Sequence, residues 1–215
     1  MRLRNKIGDV CMPTSRPGCL TVITGPMFAG KTSALIRLMH RHGPGVLVLK
    51  PAFDTRSGKA TISSRNHSSH RALAITSWPA EAARYPVLAL DEAQFMTAPR
   101  YAGDVVADGL AAVRAGVVLV VSGLDTDYMR QPFEILERFR GLADEEVVLR
   151  ARCHVCGAPA AWTAKKTDTG RLLEVGDVDL YDARCDAHWS PPGSSPGVPA
   201  ARHPAHPSVP GPSAA

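Results

Sequence analysis

Residues 25–32, GPMFAGKT, constrain this chain more than any other stretch, because they match the pattern G-x-x-x-x-G-K-[ST]. The two glycines permit a tight turn whose backbone N–H groups converge on anionic oxygens. The lysine supplies a positive charge for the β- and γ-phosphates of a nucleotide, and the threonine supplies a hydroxyl for Mg²⁺. We therefore predict a triphosphate-binding loop formed by Gly25, Pro26, Met27, Phe28, Ala29, Gly30, Lys31 and Thr32.

The residues on both sides of this loop have the pattern that such a site requires. Residues 20–24 are typical of a buried strand, and residues 31–42 carry Leu35, Leu38 and Met39 at helical spacing. The phosphates would then face the N-terminus of a helix, where unpaired N–H groups favour anions. A chance glycine turn is the alternative, and the full spacing with both flanks argues against it.

Further apolar runs predict a parallel sheet with polar residues at its carboxyl edge. Strands are expected at 46–49, 86–90, 117–121 and 147–149, and helices at 101–115 and 132–139. Asp54 and Arg56 follow the second strand, which places them near the phosphates. Asp91 ends the third strand, where its carboxylate can hold Mg²⁺ opposite Thr32. The polar stretch 57–71 is expected to be a solvated, flexible hairpin or loop.

Composition places the chain among soluble globular proteins, since 45% of its 215 residues are hydrophobic and 21% are charged. It contains no apolar run long enough to cross a membrane, so we expect no membrane partner. Residues 1–18 form a basic arm without the apolar centre of a secretory signal, which predicts a cytoplasmic protein. The proline-rich tail, 190–215, has too few large apolar residues to build a core and is expected to be disordered.

Five cysteines in that compartment are more typical of thiols or metal ligands than of disulfides. Cys153 and Cys156 form a C-x₂-C pair, and Cys185 and His188 form a C-x₂-H pair. Three thiolates and one imidazole suit tetrahedral Zn²⁺ with no open position, so we predict a structural site. A redox pair, or His154 as a further candidate ligand, is the alternative. Cys19 is expected to be a core thiol beside the first strand.

Whether water or a substrate hydroxyl accepts the phosphate depends on the role of Glu92, which follows the predicted metal ligand Asp91. In an ATPase such a glutamate polarises water, whereas in a kinase it takes the proton of a substrate hydroxyl. The tetrad DEAQ also resembles the strand end of nucleic-acid helicases, but residues 150–215 are too short for a second motor domain. A P-loop zinc-ribbon ATPase or nucleic-acid-binding module stays open as the alternative. In residues 150–189 acidic side chains offset the basic ones, so no nucleic-acid partner is expected.

Taken together, these motifs resemble those of the type II, or cellular-type, thymidine kinases. The matching stretches run in the expected order from about residue 19 to 189: GPMFAGKT at 25–32, Lys50 with DTR at 54–56, DEAQF at 91–95, Leu124-Asp125 with Arg130-x-Pro-Phe133, the two metal pairs, and Val175-Gly176 with Tyr181. Proline and methionine inside the phosphate loop make this motif more specific than the general pattern.

The resemblance implies ATP-dependent transfer of phosphate to the 5′-hydroxyl of thymidine, with Mg²⁺, structural Zn²⁺ and a homotetrameric assembly. It implies an α/β fold: a P-loop (RecA-like) nucleotide-binding parallel sheet with helices on both faces, plus a small zinc-ribbon-like lasso domain. The expected organisation is an N-terminal arm (1–18), a kinase domain (19–149), a zinc-binding lasso domain (150–189) and the tail (190–215).

The resemblance also implies a role for each matching residue. Glu92 would be the general base. Triphosphate and metal would be held by the phosphate loop together with Asp54, Thr55, Arg56, Asp91 and Gln94. The nucleoside pocket would comprise Met27, Phe95, Leu124, Tyr128 and Thr163. A lasso closing over the base would comprise Leu172, Leu173, Glu174, Val175 and Gly176 with Tyr181. The chain departs from the family pattern at Trp162, Lys165, Asp177 and His188, which bears on base selectivity and zinc ligation.

Overall fold

The computed structural model describes residues 18–55, 58, 60–64, 68–167 and 179–192. Several expectations concern residues outside these ranges: most of the N-terminal arm, Arg56, the lasso residues 172–176 and the tail beyond residue 192. No helix among the described residues is long and apolar enough to cross a membrane.

The described chain alternates strands and helices through its first two thirds and then continues in short strands. In chain order the elements are β1 (Cys19–Thr24), α1 (Lys31–His42), a 3₁₀ turn (Gly43–Gly45), β2 (Val46–Pro51), β3 (Thr61–Ser63), β4 (Ser69–Arg71), β5 (Leu73–Ile75), a 3₁₀ helix (Ala80–Arg84), β6 (Val87–Leu90), a 3₁₀ turn (Ala93–Phe95), α2 (Val105–Arg114), β7 (Val118–Gly123), α3 (Glu134–Arg140), β8 (Glu145–Val148), β9 (Ala151–Arg152), β10 (Pro159–Ala160), β11 (Trp162–Lys165) and β12 (Tyr181–Arg184).

Six of these strands form one parallel sheet in the order β5-β2-β6-β7-β1-β8. β1 lies between β7 and β8, with Thr24 opposite both Gly123 and Val148. Because all six strands run the same way, the segments that follow β1, β2, β6 and β7 emerge at one edge of the sheet. The predicted phosphate loop and the predicted acidic residues therefore lie at the same edge.

Apolar layers cover both faces of this sheet, which confirms the predicted α/β fold with helices on both faces. On one face α1 packs Leu35 and Met39 against the sheet residue Val120. On the other face α2 and α3 pack around Phe139, which has no exposed surface. Because both faces are covered, the central strands consist of nearly continuous apolar residues.

Two local predictions need adjustment. The helix expected at 101–115 begins only at Val105, because the side chain of Asp104 accepts hydrogen bonds from the backbone N–H groups of Val106 and Ala107 and caps the helix there. Strand β5 was not predicted at all. The stretch 57–71 includes the antiparallel hairpin β3–β4, and Ile62 on this hairpin is buried against the α1 face.

Cys19 is not the free thiol that the sequence suggested, because it is disulfide-bonded. The other three cysteines of the described residues, Cys153, Cys156 and Cys185, are not in disulfides. These three thiols are therefore available as the metal ligands that the sequence predicted.

Strands β9 to β12 form two small antiparallel sheets, β9 with β10 and β11 with β12. We call these strands, together with Cys153, Cys156, Cys185 and His188, the Cys/His unit. Its few fully buried residues, such as Ala160 and Ala183, are small and provide little apolar area. A unit of this size needs a covalent or metal cross-link to hold its shape.

Replacing Asp104 with alanine should lower the free energy of unfolding by about 1 kcal/mol, because two backbone N–H groups lose their acceptor. Urea denaturation at pH 7 measures this. Asp104→Ser is the matched control, since serine can cap the helix but cannot pair with Arg138, and it should retain most of the stability.

The difference in free energy of unfolding between wild type and Asp104→Ala should depend on pH, because it depends on the ionisation of the Asp104 carboxyl. The hydrogen bond from Arg138 and the backbone N–H groups lower this pKa in the folded chain. The stabilisation by the ionised carboxylate is present above its unfolded pKa of about 4 and is lost as the pH falls below that value. A difference between wild type and Asp104→Ala that grew on acidification would contradict this account.

Candidate functional site

The phosphate loop leaves β1 through a turn that only glycine fits. Gly25 has φ +146°, and a Cβ atom on it would lie 2.5 Å from the carbonyl oxygen of Leu149. Within the loop the buried Lys31 donates from Nζ to the carbonyl oxygens of Gly25 (3.0 Å) and Pro26 (2.8 Å). The ammonium group is thus held inside the curve of the loop, where a phosphate charge would be neutralised.

The loop ends at the first turn of α1, which has the properties of an anion site. Gly30 stands before the helix with φ +83° and makes no side-chain capping bond, and the first turn contains no acidic residue. Unpaired N–H groups and the positive end of the helix dipole both favour a phosphate at this position. The described loop is thus followed directly by a helix N-terminus, which suits an anion.

Thr32 and Asp91, the two residues predicted to hold Mg²⁺, are in direct contact. The Thr32 hydroxyl donates to Oδ2 of Asp91 at 3.1 Å, although the two residues belong to different strand–helix connections. The backbone N–H of Asp91 is fixed by the carbonyl oxygen of Leu49 on the neighbouring strand. A hydroxyl and a carboxylate beside a triphosphate site are the oxygen donors that Mg²⁺ prefers, so these residues fit that ion.

Glu92 follows Asp91 in a backbone conformation that is uncommon for a residue with a side chain, with φ +53°. Its carboxylate accepts a hydrogen bond of 2.5 Å from Nε2 of Gln94. Oε1 of Gln94 in turn accepts from the backbone N–H of Leu124 at 3.1 Å. The buried amide of Gln94 therefore links the predicted general base to a residue of the predicted nucleoside pocket.

Asp54 and Phe95 lie along the same edge of the sheet. Asp54 follows β2 and is buried. Its backbone N–H donates to the carbonyl oxygen of Pro51. Phe95 is also buried and packs against Phe53, with ring centroids 5.5 Å apart. Thr55, which the resemblance placed with the triphosphate ligands, is exposed.

Two residues predicted to contact the nucleoside, Met27 and Thr163, join the phosphate loop to the Cys/His unit. The backbone N–H of Met27 donates to Oγ1 of the buried Thr163 at 3.0 Å. Tyr181, a further predicted pocket residue, lies on β12 opposite Lys165 of β11. The Lys165 ammonium is 5.1 Å from the ring centroid of Tyr128, another predicted pocket residue. The lasso residues 172–176 lie outside the described residues.

The four predicted metal ligands form one cluster. Their ligand atoms all lie within 4.8 Å of one another. The Sγ atoms of Cys156 and Cys185 are 3.8 Å apart, and Nδ1 of His188 is 3.7 Å from the Cys153 sulfur. A tetrahedral zinc site with bonds of about 2.3 Å to sulfur and about 2.0 Å to nitrogen has edges of about 3.5–3.8 Å. The cluster therefore fits Zn²⁺.

The electrostatics of Cys153 favour a thiolate ligand. Burial opposes ionisation of this thiol, but backbone N–H groups of Cys185 and Cys156 point at the sulfur and lower its pKa to about 6. Zinc binds cysteine as the thiolate, so a sulfur that is already stabilised in that form binds the metal at lower cost near neutral pH.

The sequence motifs include Arg130 but did not predict its contacts, which join the loop after β7 to the Cys/His unit. The Arg130 guanidinium lies between two indole rings, 4.1 Å from the centroid of Trp162 and 3.8 Å from that of Trp189. Oδ1 of Asp186 lies 3.8 Å from its Nη2 atom. Trp162 is notable in the sequence as a departure from the family pattern, but nothing in the sequence pairs this residue with Arg130.

The hydrogen bonds of the Lys50 side chain were also not predicted from the sequence. Its side chain is almost entirely buried, and Nζ donates to the carbonyl oxygens of Gly58 (2.8 Å) and Thr61 (3.1 Å). It thereby attaches the start of the β3–β4 hairpin to the carboxyl end of β2.

Asp125 also lies near the phosphate loop. Burial raises the pKa of its carboxyl, although the positive charges of Lys31 and Arg150 oppose this shift.

Comparison with known proteins identifies the class of the chain. The sequence profile of the family described as Thymidine kinase matches residues 18–189. The chain is 33% identical to the thymidine kinase of Mycoplasma genitalium over 188 residues, which cover 82% of this chain and 85% of that protein. It is 33% identical to the thymidine kinase of Pyrobaculum aerophilum (79% and 97% covered) and 34% identical to that of Coprothermobacter proteolyticus (84% and 95% covered).

Fold, site and matches together define the class: the protein is a nucleoside kinase. Within that class the chain belongs to the thymidine kinase family. The resemblance stated from the sequence motifs is thereby confirmed.

The geometry of the Cys/His unit predicts about one zinc ion per chain in the purified protein, and His188→Ala should lose most of it because one tetrahedral position loses its ligand. Elemental analysis by plasma emission measures the zinc content. His70→Ala, a histidine on the exposed hairpin strand β4, is the matched control and should keep the metal. Full zinc content in His188→Ala would remove this residue from the ligand set.

Proposed function

We propose that this chain transfers the γ-phosphate of ATP to the 5′-hydroxyl of thymidine, giving dTMP and ADP. The observation that supports this most directly is the pair Thr32–Asp91 next to Glu92, at the edge of the sheet where the phosphate loop begins α1. A triphosphate site, a metal-binding pair and a carboxylate base are the parts that phosphoryl transfer to an alcohol requires. Family membership supplies the nucleoside as acceptor.

In the proposed reaction the 5′-oxygen of the nucleoside forms a bond to the γ-phosphorus of ATP. The bond from that phosphorus to the β–γ bridging oxygen breaks, and ADP leaves with its electron pair. The hydroxyl proton goes to the carboxylate of Glu92. Bound Mg²⁺, held by Thr32 and Asp91, would neutralise charge on the β- and γ-phosphates. Lys31 and the N–H groups at the start of α1 would bind and orient the triphosphate.

The surroundings of Glu92 support its role as the base. Gln94 donates to one carboxylate oxygen, which fixes the orientation of the group, and the same amide binds the backbone of Leu124. We propose that this link aligns the base with the nucleoside pocket, in which Leu124, Met27, Thr163 and Tyr128 take part. A proton acceptor must lie within hydrogen-bonding reach of the hydroxyl, so such alignment is a requirement for catalysis.

Further parts of the proposal rest on the family resemblance. Residues 172–176 with Tyr181 would close over the base and exclude water, which suppresses idle hydrolysis of ATP. Zn²⁺ in the Cys/His unit would anchor that segment. Asp54, Thr55 and Arg56 would assist the triphosphate site. The assembly would be a cytoplasmic homotetramer, with domain boundaries near residues 18, 149 and 189.

The test of the activity is phosphorylation of nucleosides by the full chain with ATP and Mg²⁺. Thymidine should be phosphorylated with the highest kcat/KM. Deoxyuridine lacks only a methyl group and should be about tenfold poorer or more, and deoxycytidine, whose base presents the wrong hydrogen-bonding edge, at least about 100-fold poorer. ATP hydrolysis that is independent of nucleoside, or stimulated by DNA, would overturn the proposal.

Glu92→Gln should lower kcat for thymidine by about 100-fold or more, because glutamine cannot accept the proton, whereas binding of ATP should persist. Single-turnover phosphorylation and an equilibrium titration with a non-hydrolysable ATP analogue measure the two effects. The matched control is Glu134→Gln, an exposed glutamate at the start of α3, which should retain full activity. An unchanged kcat in Glu92→Gln would exclude this residue as the base.

A further inference from the structure

The phosphate loop contacts the Cys/His unit at three consecutive residues. The backbone N–H of Met27 donates to Thr163, as described above. The Phe28 ring lies against the imidazole of His154, with centroids 4.9 Å apart and planes inclined by 39°. Phe28 and Ala29 both pack against the apolar cluster that contains Cys153. The loop is thus supported by the sheet on one side and by the Cys/His unit on the other.

Phe28 needs such support because of its backbone. It has φ +67°, in the left-handed region that residues with a Cβ atom rarely adopt. A residue in this region persists only where its surroundings hold it there. The conformation of Phe28 sets the direction of the neighbouring backbone N–H groups, which are the groups that would bind phosphate oxygens.

His154 is held firmly on the side of the Cys/His unit. Its backbone N–H donates to the carbonyl oxygen of Ala183 at 3.0 Å, and its Nδ1 lies 2.6 Å from Oδ1 of Asp182. Asp182 also pairs with Arg184 at 2.7 Å and with Lys166 at 3.4 Å. Burial opposes ionisation of Asp182, but the hydrogen bond from His154 and these two cations outweigh it and lower the pKa of the carboxyl. The carboxylate is therefore a fixed anchor for the imidazole.

We propose that His154 is a positioning residue for the triphosphate site. Anchored by Asp182, its ring supports Phe28 in the left-handed conformation and thereby keeps the N–H groups of the phosphate loop directed at the ligand. His154 lies between the metal ligands Cys153 and Cys156 in sequence, so metal binding fixes the position of its backbone. The Cys/His unit then determines affinity for ATP as well as the shape of the nucleoside pocket. This inference rests on the proposed function only for the identity of the nucleotide.

The primary test is equilibrium binding of a non-hydrolysable ATP analogue with Mg²⁺, in the absence of nucleoside, to the full chain. His154→Ala should raise the dissociation constant by about threefold to tenfold, which corresponds to the loss of one aromatic ring contact. His154→Phe keeps a ring against Phe28 and should recover part of the affinity. Val155→Ala, at the exposed neighbouring position, is the matched control and should bind as the wild type does.

Zinc content and steady-state kinetics separate positioning from general damage. His154→Ala should keep its zinc and show a raised KM for ATP with a nearly unchanged KM for thymidine. If His154→Ala loses metal, His154→Gln decides the question, because glutamine can still bind Asp182 but has no ring. Full zinc content with a raised dissociation constant in either variant supports the proposal.

The proposal is overturned if a zinc-loaded variant without the ring binds the ATP analogue with a dissociation constant within twofold of the wild-type value. Equal losses of affinity for ATP and thymidine in such a variant would also overturn it. Wild-type protein that bound the analogue but phosphorylated no thymidine would instead overturn the proposed function and leave the His154 comparison intact.

Discussion

The site depends on parallel pairing of β1 between β7 and β8, because this pairing fixes where the phosphate loop begins. A loop that binds phosphate through backbone N–H groups cannot redirect those groups by a change of side-chain rotamer. Its accuracy must come from the elements around it. The sheet determines the position of Gly25, and α1 begins directly after the loop, so packing of the core and the proposed binding of an anion would follow from one arrangement.

Two connections extend this arrangement to the rest of the molecule. The Gln94 amide links the carboxylate of Glu92 to the loop after β7, and the contact of Phe28 with His154 links the phosphate loop to the Cys/His unit. Both Glu92 and Phe28 have left-handed backbones, which are rare outside glycine and are typical of functional segments held by their surroundings. Groups that we propose to act on one phosphate are thus connected by short, specific contacts.

The sequence predicted the central sheet well because strands buried on both faces leave continuous apolar runs, and it predicted the site edge because parallel strands end together. Strand β5 was missed because only three residues pair at the edge of the sheet. The start of α2 was placed too early because the buried Tyr101 continues the apolar pattern before the Asp104 cap. The contacts of Arg130 and His154 join residues distant in sequence, and no local pattern encodes such pairs.

The contact of Arg130 with two tryptophans also gives the molecule an internal optical reporter. The chain has three tryptophans, and Trp162 and Trp189 both lie against this one guanidinium. Their emission depends on the charge and water around each indole, so it will register any separation of the loop after β7 from the Cys/His unit. Trp78 packs against the main core instead and provides an emission that such a separation would leave unaltered.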